Sequence, residues 1–107
     1  MVTFLAISRH TPANCALYNE KSAKIYAEFM SKQKELETKH GVKMVGWNVP
    51  SEHLIVQVFE APTFEAFQAF SMEPEVMKMS SVDTMEIKAA ITLEEAGQMM
   101  MQMMQAK

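Results

Sequence analysis

The stretch VKMVGWNVPSEHLIVQVFEAPTFEAFQAF, residues 42–70, decides the fold. Two extended runs, Val42 to Val49 and His53 to Glu60, flank the proline-led turn Pro50-Ser51-Glu52. In the second run Leu54, Val56 and Val58 alternate with His53, Ile55, Gln57 and Phe59, the period of two that a strand requires. Pro62 breaks the run and Thr63 offers an N-cap hydroxyl. Phe64 to Met72 then follows as a short helix with Phe67 and Phe70 turned inward.

Working outward, Val2 to Ser8 is apolar almost throughout, as expected of a central strand covered on both faces. The loop from Arg9 to Tyr18, broken by Pro12 and Asn14, exceeds the usual strand-to-helix connection of about 2–6 residues. Asn19 caps a helix from Glu20 to Lys39 whose stripe is Ile25, Tyr26, Phe29, Met30 and Leu36. Its other face carries Glu28/Lys32 and Glu35/Lys39 in the favourable i,i+4 order, a solvated face, and Gly41 ends it in the left-handed conformation. On the C-terminal side, Pro74 opens a further helical turn to about Ser80, and Thr84 to Ala90 alternates as a fourth strand. Thr92-Leu-Glu-Glu95 is a capping box. The helix it opens gathers Leu93, Ala96, Met99, Met100, Met103 and Met104 on one arc. That pattern favours docking over copper binding by the thioethers.

The order strand–helix–strand–strand–helix–strand has few solutions. Two interleaved right-handed crossovers give an α+β fold, the ferredoxin-like βαββαβ arrangement: a four-stranded antiparallel sheet with both helices on one face and an extra C-terminal helix. The expected division is a domain at 1–91 and an amphipathic methionine-rich helix at 92–107. The open sheet face, expected to carry His53, Ile55, Gln57, Phe59, Thr84, Glu86 and Lys88, is half apolar and calls for burial. A homodimer or larger homo-oligomer is therefore expected.

Composition narrows the function. The 107 residues carry a net charge of −3 with lysines and acids interspersed, which argues against a nucleic-acid surface. There is no apolar run of about 18 residues, so no membrane partner is expected. One cysteine, Cys15, forms no internal disulfide, and the first ten residues are too short for a secretion signal; both fit a cytoplasmic setting. With glycines only at 41, 46 and 97 there is no phosphate loop, and neither a Ser-His-Asp order nor an HExxH helix occurs.

From Val2 to Ala90 the element order, the segment Ala61-Pro-Thr-Phe-Glu-Ala-Phe67 and the short Pro74 helix resemble the dimeric α/β-barrel superfamily. Its members include antibiotic-biosynthesis-type monooxygenases, muconolactone isomerases and YCII-like proteins. The resemblance implies two ferredoxin-like subunits packed sheet to sheet. Cofactor-free monooxygenases of this superfamily use an Asn/Trp/His set with the Asn on the first strand. Here the first strand has no Asn and Trp47, Asn48 and His53 lie elsewhere, so that activity is not carried over.

The fold brings His10, Cys15, Glu52, His53 and Asp83 to one edge of the sheet and leaves His40 at the other, where an imidazole suits the negative end of a helix. His, Cys and carboxylate are ligand types for zinc, copper or iron. His10 beside Cys15 is equally the pattern of a base and a thiol nucleophile, with His53 as a third catalytic candidate and Glu52 or Asp83 as helpers. The bland alternative is that Cys15 is a small buried hydrophobe. His53 is expected to point to the helix-free face, and Trp47 to wall a ligand or cofactor pocket. Three classes remain: a homo-oligomer binding a small molecule between sheet and helices or between subunits, a metal-binding protein using the His10/Cys15/His53 edge, and a cofactor-independent small-molecule enzyme.

Overall fold

Strands β1 (Val2–Arg9), β2 (Lys43–Val49), β3 (Leu54–Ala61) and β4 (Thr84–Ala90) form one antiparallel sheet in the order β2-β3-β1-β4. Helices α1 (Glu20–His40), α2 (Phe64–Ser71), α3 (Pro74–Met77) and α4 (Leu93–Gln105) complete the chain, with single 3-10 turns at Pro12–Asn14, Pro50–Glu52 and Lys78–Ser81. The computed structural model describes residues 1–106. This is the ferredoxin-like α+β fold with an added C-terminal helix.

The register decides which side is inside. Phe4 of β1 lies opposite Phe59 of β3, and both rings meet Phe67 of α2, Phe4 stacked at 4.4 Å and Phe59 edge-on at 5.1 Å. Phe70 adds a fourth ring beside Phe59, and Ala6, Ala61, Phe29, Leu36, Val42 and Met79 close the core. Thus Ile55, Gln57, Phe59 and Ala61 of β3 face the helices, and Leu54, Val56 and Val58 face the open side. The sequence expectation had these two sets of β3 reversed. Both are apolar, so alternation alone carries no phase; the bulk of Phe59 fits beneath the α2 phenylalanines, and pairing with β1 brings Gln57 in with it. For β4 the expectation holds: Thr84, Glu86 and Lys88 lie across from Arg9, Ile7 and Leu5 on the open face. That face also shows Val45 and Trp47, 58% and 56% exposed. β1 is central, as its apolar run requires, but only its helix-side residues Phe4, Ala6 and Ser8 are fully buried.

The caps follow the sequence. The Asn19 side chain accepts from the Ser22 N–H, Thr63 from Ala66, and Thr92 and Glu95 form the reciprocal capping box. Gly41 takes φ +67, a conformation that calls for glycine, and a Cβ there would also sit tightly at 3.1 Å from Pro62 Cγ. The ion pairs depart from expectation. Lys32 reaches Glu75 at 3.3 Å, Lys39 reaches Glu73 at 2.8 Å, and Glu28 is taken by Lys78 at 3.2 Å. Glu28/Lys32 and Glu35/Lys39 give way because α1 packs beside the α2–α3 corner, whose charged residues lie within reach, while Lys24 still pairs with Glu20 at 3.4 Å. His40 Nε2 shares Glu73 at 2.8 Å, tying the end of α1 to that corner.

No residue of α4 is buried, and Met99, Met100, Met101, Met103 and Met104 are all more than half exposed. Gly97, mid-helix, has no atom near where a Cβ would stand. The radius of gyration, 16.4 Å, exceeds the roughly 13 Å of a compact domain of this length, and the long axis reaches 58 Å. We therefore propose that residues 1–91 are the folding unit. A chain ending at Ile91 should unfold in urea in a single cooperative transition with native circular dichroism. Loss of the transition would place α4 within the folding unit.

Candidate functional site

Three turns build the site at the edge where β1 ends. As the chain leaves β1, the His10 N–H donates to the His53 carbonyl at 3.2 Å, locking two loops together. Thr11 caps the 3-10 turn that follows, Pro12 starts it, and the Cys15 N–H closes it on the Pro12 carbonyl at 3.3 Å. The Cys15 carbonyl then accepts from the Tyr18 and Asn19 N–H groups at 2.9 and 2.8 Å, leading the chain into α1 with the Cys15 thiol buried. His53 closes the Pro50–Glu52 turn at φ 50, ψ 47. It is the one non-glycine residue with positive φ among those described, a conformation that disfavours an L side chain by roughly 1–2 kcal/mol.

These turns bring the three sequence candidates together. One ligand atom each from His10, Cys15 and His53 lies within 4.8 Å of the others. The two imidazoles meet edge to face, centroids 5.3 Å apart at 76°. Both ring nitrogens of His10 and Nδ1 of His53 are buried with no hydrogen-bond partner. Such orphaned polar atoms are rare in folded proteins and each one calls for a reason. Burial first, and then the neighbouring His53, lower the pKa of His10, while Asp83 opposes the shift. Depressed in this way, the His10 imidazole tends toward its neutral form, whose lone pair is free.

Asp83 joins the edge from the start of β4. Its Oδ2 accepts from Ser8 Oγ at 2.7 Å and from the Tyr26 hydroxyl at 2.8 Å, while Oδ1 is buried and unpartnered. Burial, and then the hydrogen bond to this carboxylate, push the Tyr26 phenol well above its usual range. Ser8 and Tyr26 were not among the sequence candidates. In sequence Tyr26 belongs to the apolar stripe of α1 and Ser8 is the plain end of a strand; a hydroxyl within an apolar alternation is the available signal.

His10, Cys15 and Tyr26 also line a cavity of about 420 Å³ between the sheet and α1. Phe29, Met30, Met44, Ile55 and Met79 give it apolar walls, and Gln33, Asn48 and Gln57 add amides. Gly46 leaves room on the sheet side, since a Cβ there would press on Gln57 Cγ at 3.2 Å.

Two expectations need correction. Glu52 sits exposed in its turn, outside the His10/Cys15/His53 group. His53 does not point to the helix-free face. It precedes β3, and its left-handed backbone breaks the strand alternation on which that expectation rested, so its ring turns to His10 and Cys15. Trp47 lies outside the sheet–helix cavity and pairs with Val56 on the open face, because the residues of β2 facing the helices are Met44, Gly46 and Asn48. His40 is bound to Glu73, as befits a helix end.

Fold and edge together define a small protein of ferredoxin-like fold, with a His/Cys edge opening on a sheet–helix cavity. Solved structures bear out the fold. A crystal structure titled antibiotic biosynthesis monooxygenase superposes with a TM-score of 0.64 at 10% identity, over 87% of this chain and 99% of the other. SnoaB, a cofactor-independent oxygenase from Streptomyces nogalater, gives 0.59 at 13%, over 86% and 92%. A dimeric ferredoxin-like protein from an uncultured marine organism gives 0.58 at 16%, over 87% and 95%. No family model matches the sequence, and no curated protein does. Among the described residues, no helix is long and apolar enough to cross a membrane.

The Tyr26–Asp83 bond yields a test. Tyr26→Phe should lower stability by about 1.5–3 kcal/mol, the range for a hydrogen bond to a charged group. Because the folded phenol titrates above the unfolded one, its contribution is complete below about pH 10 and fades at higher pH. Urea midpoints of the native chain should therefore fall above about pH 10, with a shallower slope in Tyr26→Phe.

Proposed function

We propose that this chain binds a small, largely apolar molecule in the cavity between the sheet and α1, as a subunit of a homo-oligomer. The cavity carries the reading. Its volume, about 420 Å³, falls in the range of small-molecule sites, and it pairs apolar walls with a few polar groups at one end. His10, Cys15, Tyr26 and Asn48 are the polar groups a guest would meet. The fluorescent probe anilinonaphthalene sulfonate supplies the test. It should bind once per chain and raise the unfolding midpoint; at 100 times its Kd the gain is about 2.7 kcal/mol. Ile55→Trp, which fills the cavity from β3, should abolish both effects while the fold persists. Equal binding by that variant would remove the cavity as the site.

The oligomer rests on the open sheet face. Leu5, Ile7, Val45, Trp47, Val56 and Val58 form an apolar centre there, with Lys43, Glu60, Glu86 and Lys88 at the rim. A second copy of the same face would bury this centre and match its mixed charges. Trp47 would then line the seam between subunits. Light scattering should give about twice the 12.1 kDa of one chain, and Trp47→Lys should return it to a monomer. As the sole tryptophan, Trp47 also reports directly: its emission should shift to the red on dilution. A native chain that stays monomeric at tens of micromolar would defeat this part of the reading.

A further inference from the structure

We infer that His10, Cys15 and His53 form a zinc site, with two imidazole nitrogens and one thiolate as its protein ligands. The inference does not depend on the cavity's guest. It starts from the three donor atoms lying within 4.8 Å of one another at a partly buried edge. Bonds of about 2.0–2.3 Å would set tetrahedral donors roughly 3.3–3.8 Å apart, so contraction by about 1 Å, within reach of side-chain rotation, closes the site. The orphaned nitrogens are the second observation. His10 presents two buried ring nitrogens and His53 one, none with a hydrogen-bond partner. A metal ion takes the one lone pair of each neutral imidazole, whereas a simple core contact leaves it unsatisfied.

Backbone hydrogen bonds already hold the three loops in place. The His10–His53 backbone bond fixes the two histidine loops, and the turn on Pro12 fixes Cys15. Charge selects the ion. Two neutral imidazoles and a thiolate sum to −1, and the Asp83 carboxylate adds a second negative charge nearby. A divalent ion is balanced by this set, whereas a monovalent one leaves an excess negative charge in a partly buried place. Mixed nitrogen and sulfur donors suit zinc among the divalent ions. As the sulfur–zinc bond forms, the Cys15 thiol proton passes to solvent. Three protein ligands leave a fourth coordination position for water, and His10 and Cys15 both border the cavity.

The purified full chain, stripped with chelator, is titrated with zinc in competition with a chromophoric chelator, and separately with cobalt as a spectroscopic stand-in. One ion per chain is expected. The cobalt form should show a sulfur-to-metal charge-transfer band in the near ultraviolet, and Cys15 is the only cysteine that can supply it. Cys15→Ser should remove that band. His53→Asn, which keeps a residue tolerant of the left-handed turn, should weaken zinc by at least about 100-fold, the upper end of what losing a merely supporting group costs. Absence of stoichiometric zinc binding, or a cobalt spectrum without the thiolate band, overturns the inference, and neither readout requires a variant to fold.

Discussion

The stack of Phe4 on Phe67 sets the inside of this molecule. Phe4 lies on a central strand, so whichever face carries it becomes the helix side for every strand paired to it in register. β3 follows through Phe59, and β2 follows β3. The edge chemistry is a consequence. With Phe4 inward, Ser8 four residues on is inward too, and it meets Asp83 from β4. The chain then leaves β1 toward the helices, which places His10 and Cys15 under the start of α1.

This arrangement separates two surfaces with different chemistry. The helix side of the sheet carries the aromatic core at one end and the cavity, His10 and Cys15 at the other. The open side carries aliphatic residues and one indole, with charges only at its rim. A contact on the open face would leave the His/Cys edge untouched, so the two surfaces are free to differ in what they meet. α1 bridges the two ends of the helix layer. Its first half faces the cavity through Tyr26 and Phe29, and its second half is pinned by Lys32, Lys39 and His40 to Glu75 and Glu73.

Much of this was legible in the residues. Asn19, Gly41, Thr63, Pro74 and Thr92 marked the helix ends because capping is local chemistry, readable within four residues. The element order gave the sheet and its layer. The phase of β3 was not legible: Leu54-Ile-Val-Gln-Val-Phe59 is apolar on both faces, and only the partner strand chooses between them. The face that carries Trp47 was open for the same reason, since β2 takes its phase from β3. At the site, topology brought His10, Cys15 and Asp83 to one edge, and His53 with them. The orientation of His53 depended on a single backbone dihedral that no pattern of alternation reports. Tyr26 and Ser8 look apolar or neutral in sequence and acquire meaning only through Asp83, 57 and 75 residues away.

The left-handed backbone of His53 has a consequence of its own. Glycine there would close the same turn without the steric penalty, and asparagine would lessen it. Position 53 is therefore one where folding preference and side-chain chemistry pull in opposite directions. A library selected for thermal stability in metal-free buffer should drift toward glycine at 53, and in doing so lose an imidazole from the edge. Without a bound ion, resistance to heat and the side chain of this corner are thus opposed at a single codon.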